Sequence, residues 1–403
     1  MADIKRKVPN LRFKGFTDDW EQRKLGEISE RILRKNSDLQ SLLPLTISAQ
    51  DGLVDQTIYF NKQVASKQLK NYLLLYNGDF AYNKSYSVGY PYGAIKRLDK
   101  YKQGVLSTLY IAFKPTNINS DFLQHYYDTD KWYREIYRNA AEGARNHGLL
   151  NISANDFFNS KLITPSDNDE QLKIAKIINV FNRLITLQQR KLDLLKQLKK
   201  GLLQKMFADK DSKRPVLQFK IFHDDWEQRK LGDLIKEFSI KSKIEDEYKV
   251  LSSTNSGMKF REGRVTGTSN LGYKIIKNGD LVLSPQNLWL GNININNIGK
   301  GLVSPSYKTF KLINIDSSFI NPQLRTQKML EEYKNSSTQG ASVVRRNLEI
   351  DSFYQIKIFV PTISEQEKIG SFFQRLDNTI VLQHQKLAKC QSVKKSLLQQ
   401  MFI

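Results

Sequence analysis

The feature that most constrains the fold is a phrase that the chain spells twice. Residues 11–27 read LRFKGFTDDWEQRKLGE and residues 217–233 read LQFKIFHDDWEQRKLGD, with 13 identical residues in 17 aligned positions at an offset of 206. Further pairs follow in the same order: NGD at 77 and 278, GA at 143 and 340, and EQ at 170 and 365. The 403 residues therefore form two tandem copies of one module, and we expect two cores.

Each copy ends in a segment that predicts a long helix. Residues 170–208 and 365–403 contain no proline, share 16 of 39 residues, and repeat apolar residues every three or four positions. Such a helix is roughly 58 Å long at about 1.5 Å per residue, and its apolar face needs a partner. We expect the two helices to pair antiparallel, with Leu198 on the apolar face. The predicted pairing residues are Ile178, Phe181, Ile185, Gln188, Leu192, Leu195, Phe373, Leu376, Ile380, Gln383 and Leu387.

Gln188 and Gln383 interrupt both apolar faces at the same position. A polar residue in a helix seam can fix the pairing register at a cost in stability, and a glutamine at the edge of the seam can instead reach solvent. The residues alone leave both alternatives open. Before the first helix, Asp167 or Asp169 can serve as the N-cap.

The segments before the helices predict two α+β heads. Short β-rich runs at residues 73–76, 110–113, 274–276 and 281–283 are bounded by turn residues. The predicted boundaries are residues 1–166 for the first head, 167–208 for the central helix, 209–363 for the second head and 364–403 for the C-terminal helix. After each NGD the sequences diverge completely, AYNKSYSVGYPYGAIKRL against LVLSPQNLWLGNININNI. A shared frame with different loops indicates two recognition modules with different targets.

The charge of the chain points to a polyanionic partner. It carries 63 Lys and Arg against 41 Asp and Glu, for a net charge of +22, which favours nucleic acid. No apolar run is long enough for a membrane helix, and the N-terminus lacks the features of a secretory signal. The single cysteine, Cys390, cannot form an internal disulfide. We therefore expect a cytoplasmic protein without membrane contact.

The ordered set of landmarks, WEQRKLGE and WEQRKLGD, the NGD and GA pairs and the EQ-initiated helices, resembles the specificity subunit of Type I restriction-modification systems over almost the whole chain. The resemblance implies two target-recognition domains, each reading one half of a bipartite asymmetric site in double-stranded DNA, with the helices setting the spacer. It also implies two methyltransferase subunits that use S-adenosylmethionine, and restriction subunits that use ATP and Mg. The chain itself is then non-catalytic and binds no cofactor or metal.

Two loops in each head are the candidate DNA contacts. Lysine and arginine can pair with phosphates, and glutamine or asparagine can bind adenine edges in the major groove. The competing interpretation is that the tyrosines pack against a strand and that the charges are merely solvated. The candidate residues are Lys84, Ser85, Tyr86, Tyr90, Arg97, Arg145, Asn146, Ser284, Gln286, Asn287, Ser342, Arg345 and Arg346.

Other functions find less support in the sequence. The carboxylate pairs Asp18, Asp19 and Asp224, Asp225 could hold a metal in a nuclease, but both heads share them beside a tryptophan, which favours a structural role. No phosphate-binding loop or dinucleotide fingerprint occurs, and the four histidines lack metal-site spacing. A free-standing DNA-binding regulator or scaffold remains the alternative, although no helix-turn-helix or RNA-binding signature supports it.

Overall fold

A computed structural model describes residues 7–62, 69–140, 150–208, 212–261, 269–286, 288–339 and 346–403. The chain divides into two compact units, unit 1 (Met1–Gln188 with Lys386–Ile403) and unit 2 (Gln189–Gln385). Each unit holds one head, the first part of the long helix that follows that head, and the last part of the other long helix. The units therefore divide both helices, which the predicted boundaries keep whole.

Unit 1 builds its head on two four-stranded sheets, ordered β2-β9-β6-β7 and β4-β3-β8-β5, and a separate pair β1-β10. Long helix α6 follows the head. The elements are β1 (Glu21–Lys24), α1 (Leu25–Ile28), β2 (Ser29–Arg31), β3 (Pro44–Ser48), β4 (Gly52–Asp55), α2 (Gln56–Phe60), β5 (Leu73–Tyr76), β6 (Phe80–Asn83), β7 (Ala94–Arg97), β8 (Gln103–Leu106), β9 (Ile111–Pro115), α3 (Ser120–Tyr127), α4 (Tyr133–Asn139), α5 (Ala154–Phe158), β10 (Lys161–Thr164) and α6 (Asn168–Lys205).

Unit 2 repeats the first sheet as β12-β19-β16-β17 and the separate pair as β11-β22. The predicted strands are therefore confirmed in both heads. The elements are β11 (Glu227–Lys230), α7 (Leu231–Leu234), β12 (Ile235–Phe238), β13 (Leu251–Thr254), β14 (Gly257–Phe260), β15 (Lys274–Ile276), β16 (Leu281–Leu283), β17 (Ile293–Ile295), β18 (Gly301–Val303), β19 (Lys308–Leu312), α8 (Ser317–Gln323), α9 (Gln327–Asn335), β20 (Ser337–Gln339), β21 (Arg346–Leu348), α10 (Ile350–Tyr354), β22 (Lys357–Val360) and α11 (Ile363–Gln400).

The repeated phrase joins the two ends of each head. Its EQRK residues form β1 and β11, which pair antiparallel with the last strand of the same head, β10 and β22. The preceding tryptophans are both 2% exposed, and Trp20 lies edge-on to Phe122 at 6.0 Å while Trp226 lies edge-on to Phe319 at 5.7 Å. Burial of a tryptophan removes a large apolar surface from water. The structural role predicted for the phrase is confirmed.

The long helices pack antiparallel within each unit. In unit 2 the Phe207 ring, just after α6, stacks on Phe373 near the start of α11 at 5.8 Å, and Lys199 forms an ion pair with Asp377. In unit 1 the first turns of α6 share a buried cluster with the last residues of the chain. The predicted α+β fold class with two antiparallel long helices is confirmed.

Most of the predicted pairing residues are buried or half-buried. Gln383 is 4% exposed, so the alternative of a glutamine reaching solvent is wrong at that position, whereas Gln188 is half-buried. Leu198 is 52% exposed, so its place on the packed face was wrong. The buried members are Ile178, Leu192, Phe373, Leu376 and Leu387, and the half-buried ones are Phe181, Ile185, Leu195 and Ile380.

The EQ pair at the start of each long helix ties that helix to its head. The Gln171 side chain donates to the Pro165 carbonyl at 2.8 Å and accepts from the Asn119 backbone at 2.8 Å. Gln366 makes the same two bonds, to Pro361 and from Asp316, each at 2.8 Å. Because a buried amide needs its partners, these glutamines fix the angle between helix and head. The sequence showed EQ only as a landmark.

The neighbouring glutamates bind the first residues of the repeated phrase. Arg12 donates to both carboxylate oxygens of Glu170, at 2.7 and 2.8 Å, and Gln218 donates to Glu365 at 3.0 Å. Both carboxylates are almost fully buried. At the start of α6 the Asp169 backbone donates to the Asp167 side chain at 2.7 Å, so Asp167 is the N-cap.

The end of a long helix completes each head. The Leu217 backbone donates to the Lys205 carbonyl at 2.8 Å in unit 2, and the Leu11 backbone donates to the Gln400 carbonyl at 2.9 Å in unit 1. Phe207 and Phe402, at equivalent positions, pack on Phe319 at 5.5 Å and on Phe122 at 5.2 Å. Unit 1 therefore receives its completing phenylalanine from the residues after α11, and unit 2 receives the equivalent phenylalanine from the residues after α6.

Candidate nucleic-acid interface

The NGD triplet forms the same turn in both heads. Asp79 accepts a hydrogen bond from the Tyr76 backbone and Asp280 accepts one from the Lys277 backbone, both at 2.7 Å. Arg34 pairs with Asp79 and Lys311 with Asp280. The middle residue of the triplet has a φ of +91° at Gly78 and +86° at Gly279, a conformation that favours glycine. The triplet thus sets the start of the strand, β6 or β16, that leads into each post-NGD loop.

In unit 1 the post-NGD loop (residues 84–90) bonds to the segment that starts at residue 150. The Leu150 backbone donates to the Lys84 carbonyl at 3.1 Å, and the Lys84 ammonium donates to the Ile152 carbonyl at 3.4 Å. The Ser85 backbone donates to the Asn83 side chain at 3.0 Å. Tyr86 is exposed, whereas Tyr90 is half-buried and packs against the second core cluster of this head. The packing alternative is therefore met by Tyr90 and not by Tyr86.

In unit 2 the post-NGD loop (residues 284–286 and 288–290) bonds to the equivalent segment. The Leu348 backbone in β21 donates to the Pro285 carbonyl at 3.2 Å, and the Ser284 backbone donates to the Asn292 carbonyl at 2.9 Å. Gln286 is exposed. Both heads thus place the post-NGD loop beside the described segment that follows the GA loop in sequence. The sequence could not reveal this adjacency, because each bond between these two segments joins residues more than 60 positions apart.

Arg346 is held at the base of β21 in unit 2. Its guanidinium donates to the Ser337 hydroxyl at 3.0 Å and to the Ser337 carbonyl at 3.1 Å, across the antiparallel pair β20-β21. An arginine has five N–H donors, so donors remain for a ligand. The other candidates near this loop, together with those of the GA loop in unit 1, lie outside the described residues and stay predictions: Arg145, Asn146, Asn287, Ser342 and Arg345.

Arg97 serves the frame of unit 1. Its guanidinium donates to Asp99 and to Asp121, each at 2.6 Å, and to the Ser120 hydroxyl at 2.9 Å, which ties β7 to α3. Its side chain is 14% exposed. Carboxylates already occupy the fork that would grip a phosphate, so this residue is the weakest of the candidate contacts.

A buried polar network lies between α3 and α6 in unit 1. The His125 Nε2 atom is 2.8 Å from Asn179 Oδ1, and the Asn179 amide donates to Asp121 at 3.1 Å. Burial by itself raises the pKa of the neighbouring Asp128, but the His125 ring, whose Nδ1 atom lies 3.7 Å from the carboxylate, and the Lys96 charge outweigh it and lower that pKa to about 2. Asp128 is therefore ionised at neutral pH.

An exposed apolar stripe runs along α6. Val180, Leu187, Leu194 and Leu198 are each more than half exposed and follow one another by seven, seven and four residues. Side chains at these spacings lie on one face of a helix. A second apolar face, besides the one that packs against α11, is typical of a helix that binds another protein.

The described residues contain neither a metal-binding cluster nor a membrane-spanning helix. Within them, no group of three or more histidine, cysteine, aspartate or glutamate side chains could hold a metal ion. Nor does any helix there have the length and apolar character that crossing a membrane requires.

Known proteins are similar to this chain in sequence and in fold. Residues 223–391 match the family model described as the Type I restriction modification DNA specificity domain. This match covers the second head and most of the C-terminal helix. The chain is 22% identical over 417 residues to the Type I restriction enzyme MjaVIII specificity subunit of Methanocaldococcus jannaschii, covering 94% of this chain and 91% of that protein.

Solved structures agree in fold. A Type I S subunit from M. genitalium superposes with a TM-score of 0.57 at 16% identity, over 98% of this chain and 99% of that one. A chain from a study of complex assembly and conformational transition of the type I R-M system gives a TM-score of 0.53 at 14% identity, over 94% and 96%. The resemblance seen in the sequence is confirmed, and the chain has the fold of these structures along nearly its whole length.

Proposed function

We propose that each head of this specificity subunit reads one half of a bipartite, asymmetric site in double-stranded DNA. The observation that carries the proposal is the duplicated frame. In both heads a backbone hydrogen bond holds the post-NGD loop beside a second segment, at 3.1 Å in unit 1 and 3.2 Å in unit 2. The frame is the same while the loop sequences differ, and two different loop sets imply two different half-sites.

The long helices set the spacer between the half-sites. Each has 38 residues and is therefore about 57 Å long at about 1.5 Å per residue. Modules on one face of a duplex are best placed about one helical turn apart, roughly 34 to 36 Å. An insertion between Leu187 and Leu198 changes the spacer of the recognised site and leaves each half-site unchanged.

Catalysis belongs to partner subunits in this proposal. Two methyltransferase subunits using S-adenosylmethionine, and restriction subunits using ATP and Mg, assemble on the specificity subunit in the cytoplasm. The exposed stripe of Val180, Leu187, Leu194 and Leu198 supports a protein partner on α6. The specificity subunit contributes DNA recognition and assembly, without a cofactor of its own.

The test is a methylation map. The chain is co-expressed with its cognate methyltransferase subunit, and adenine methylation is mapped across a genome at single-base resolution. A motif of two short specific parts around a fixed gap is the expected result. A contiguous motif would refute two heads with a spacer, and absence of methylation in a formed complex would favour the free-standing regulator.

A further inference from the structure

Unit 2 contains a cleft of about 1300 Å³ between the end of α6, helix α9 and strand β22. Buried apolar side chains, among them Phe207, Met329 and Phe359, form part of its wall. Six cationic side chains and three carboxylates also line it. The cationic ones are Lys196, Lys199, Lys200, Arg325, Lys328 and Lys357.

In the described part of unit 2, the carboxylates do not pair with every cation of the cleft. Asp377 forms its ion pair with Lys199. Lys200 and Arg325 have no carboxylate within ion-pair distance among the residues that the structure describes. Lys200 is exposed, so its ammonium stays hydrated at the rim of the cleft.

Arg325 is the unusual member of this set. It is half-buried in the turn between α8 and α9, and its side chain donates a hydrogen bond to the neutral Asn255 carbonyl. Burial lowers its pKa from the usual value, and the charge of Asp377 offsets this effect in part. A guanidinium that is partly desolvated without a counter-ion costs stability, and an anionic ligand offsets that cost.

Helix α9 separates the cleft from the candidate DNA-reading loop. On one side it contacts the short helix Leu288–Leu290 of the post-NGD loop, and at its end the chain enters β20 of the Arg346 pair. On the other side it lines the cleft with Lys328 and Met329. The cleft and the candidate DNA-reading loop are therefore separated by a single helix.

One residue of the equivalent place in unit 1 has the opposite charge. The N-caps Asn119 and Asp316 make the same bond to their EQ glutamine, which aligns the two heads at an offset of 197. Arg325 then corresponds to Asp128, which is ionised and bound by Lys96 at 3.0 Å. Phosphate repels an ionised carboxylate and attracts a guanidinium, so the two units differ at this position in their capacity for anions.

We propose that the cleft of unit 2, with Lys200 and Arg325 as its main anion ligands, binds backbone phosphates of DNA beside the half-site read by the second head. This inference rests on the proposed function and adds an asymmetry to it. The second head contributes sequence-independent, salt-sensitive affinity at this position, and the first head does not.

The test measures the salt dependence of binding to a duplex of about 30 base pairs with random sequence. The full chain is titrated against the labelled duplex by fluorescence anisotropy between about 50 and 200 mM salt. Each lost phosphate contact flattens the plot of log affinity against log salt by about 0.9. We expect a flattening of about 1.8 for Lys200→Gln with Arg325→Gln, and of about 0.9 for Lys200→Gln alone.

Lys395→Gln is the matched control, because Lys395 occupies the position of Lys200 in α11 at an offset of 195. It removes the same charge from unit 1 and should leave the slope unchanged. Wild-type slope in the double variant overturns the phosphate site, and equal flattening by Lys395→Gln overturns the asymmetry. Because Lys200 is exposed, its single variant keeps the test decisive if Arg325→Gln does not fold.

A competition arm identifies the source of the phosphate. Tripolyphosphate at matched ionic strength should displace the duplex from the wild-type chain more effectively than from the double variant. Calorimetric binding of ATP that is lost in the double variant, with an unchanged DNA slope, would assign the cleft to a free nucleotide and overturn the proposal. A contiguous methylation motif with the expected slopes would refute the two half-sites while leaving the phosphate site standing.

Discussion

Removing the ring of Phe402 should destabilise unit 1 and leave unit 2 intact. Phe402 is 2% exposed, and its ring lies 5.2 Å from Phe122 and 6.2 Å from Tyr126. Truncation of a buried phenylalanine to alanine costs about 3 to 5 kcal/mol. With a urea dependence of about 3 kcal/mol per M, the midpoint of unit 1 should fall by about 1 to 2 M.

The matched variant is Phe207→Ala, because Phe207 makes the equivalent contacts in unit 2, to Phe319 at 5.5 Å and Phe373 at 5.8 Å. Hydrogen exchange measured by mass spectrometry in increasing urea reports both units in one sample. Peptides from β6 and α3 should lose protection early in Phe402→Ala, and peptides from β16 and α8 should do so in Phe207→Ala.

Two results would refute this reasoning. A shift of less than about 0.3 M in the unit 1 peptides of Phe402→Ala would show that the C-terminal ring does not complete that head. An equal shift of both units in either variant would show that the chain unfolds as one cooperative body and not as the two units described.

The remaining predictions concern single contacts. Arg346→Ala should weaken binding to random duplex and flatten the plot of log affinity against log salt by about 1, because the guanidinium keeps free donors beside the post-NGD loop. An unchanged slope in the anisotropy titration would contradict this prediction. Arg97→Ala should lower the free energy of unfolding of unit 1 by about 1 to 2 kcal/mol, discounted because both partner carboxylates are more than one third exposed, and should leave the slope unchanged. The pKa of Asp128 is lowered from about 3.9 in the unfolded chain to about 2 in the fold, so its ionised form stabilises unit 1. This contribution is fully present when the pH is above about 3.9, and it is lost as the pH falls from there toward 2. Asp128→Asn should therefore reduce the loss of stability between about pH 4 and 2, which acid titrations followed by circular dichroism can measure.

The sequence predicted the parts of the fold that are encoded locally. Helical periodicity gave both long helices to within a few residues, and the duplication gave the two heads with their order of landmarks. The division into units was not predictable, because it depends on Phe402 packing on Phe122 from 280 positions away. Periodicity also misplaced Leu198, since spacing shows which residues share a face of a helix and not which of two apolar faces is covered.

The sequence predicted the candidate site only in part, for the same reason. Composition and loop divergence indicated which segments are candidates for DNA contact, yet they did not distinguish Arg97 from Arg346. The structure separates these two arginines by their partners. Arg97 is bound by two carboxylates, Asp99 just after β7 and Asp121 in α3, whereas Arg346 bonds only to the hydroxyl and carbonyl of Ser337 in the described part of unit 2. Whether an arginine has a carboxylate partner can depend on residues that are distant in the sequence, so the sequence of one loop does not reveal it.

The residues that the two copies share are those that join frame elements, and this explains why the heads can differ elsewhere. The shared tryptophan, the EQRK strand and the EQ pair each make the same contact twice, to the α3 or α8 helix, to the last strand and to the Pro165 or Pro361 carbonyl. A change at the tryptophan or at the EQ pair breaks a buried contact in its unit, so these residues are constrained by stability. A change in a post-NGD loop breaks at most a few exposed contacts, so the loop sequence is free to follow the DNA that the head is proposed to read. Stability and specificity therefore reside in different residues of each copy, and a loop substitution should alter the recognised bases at little cost in folding.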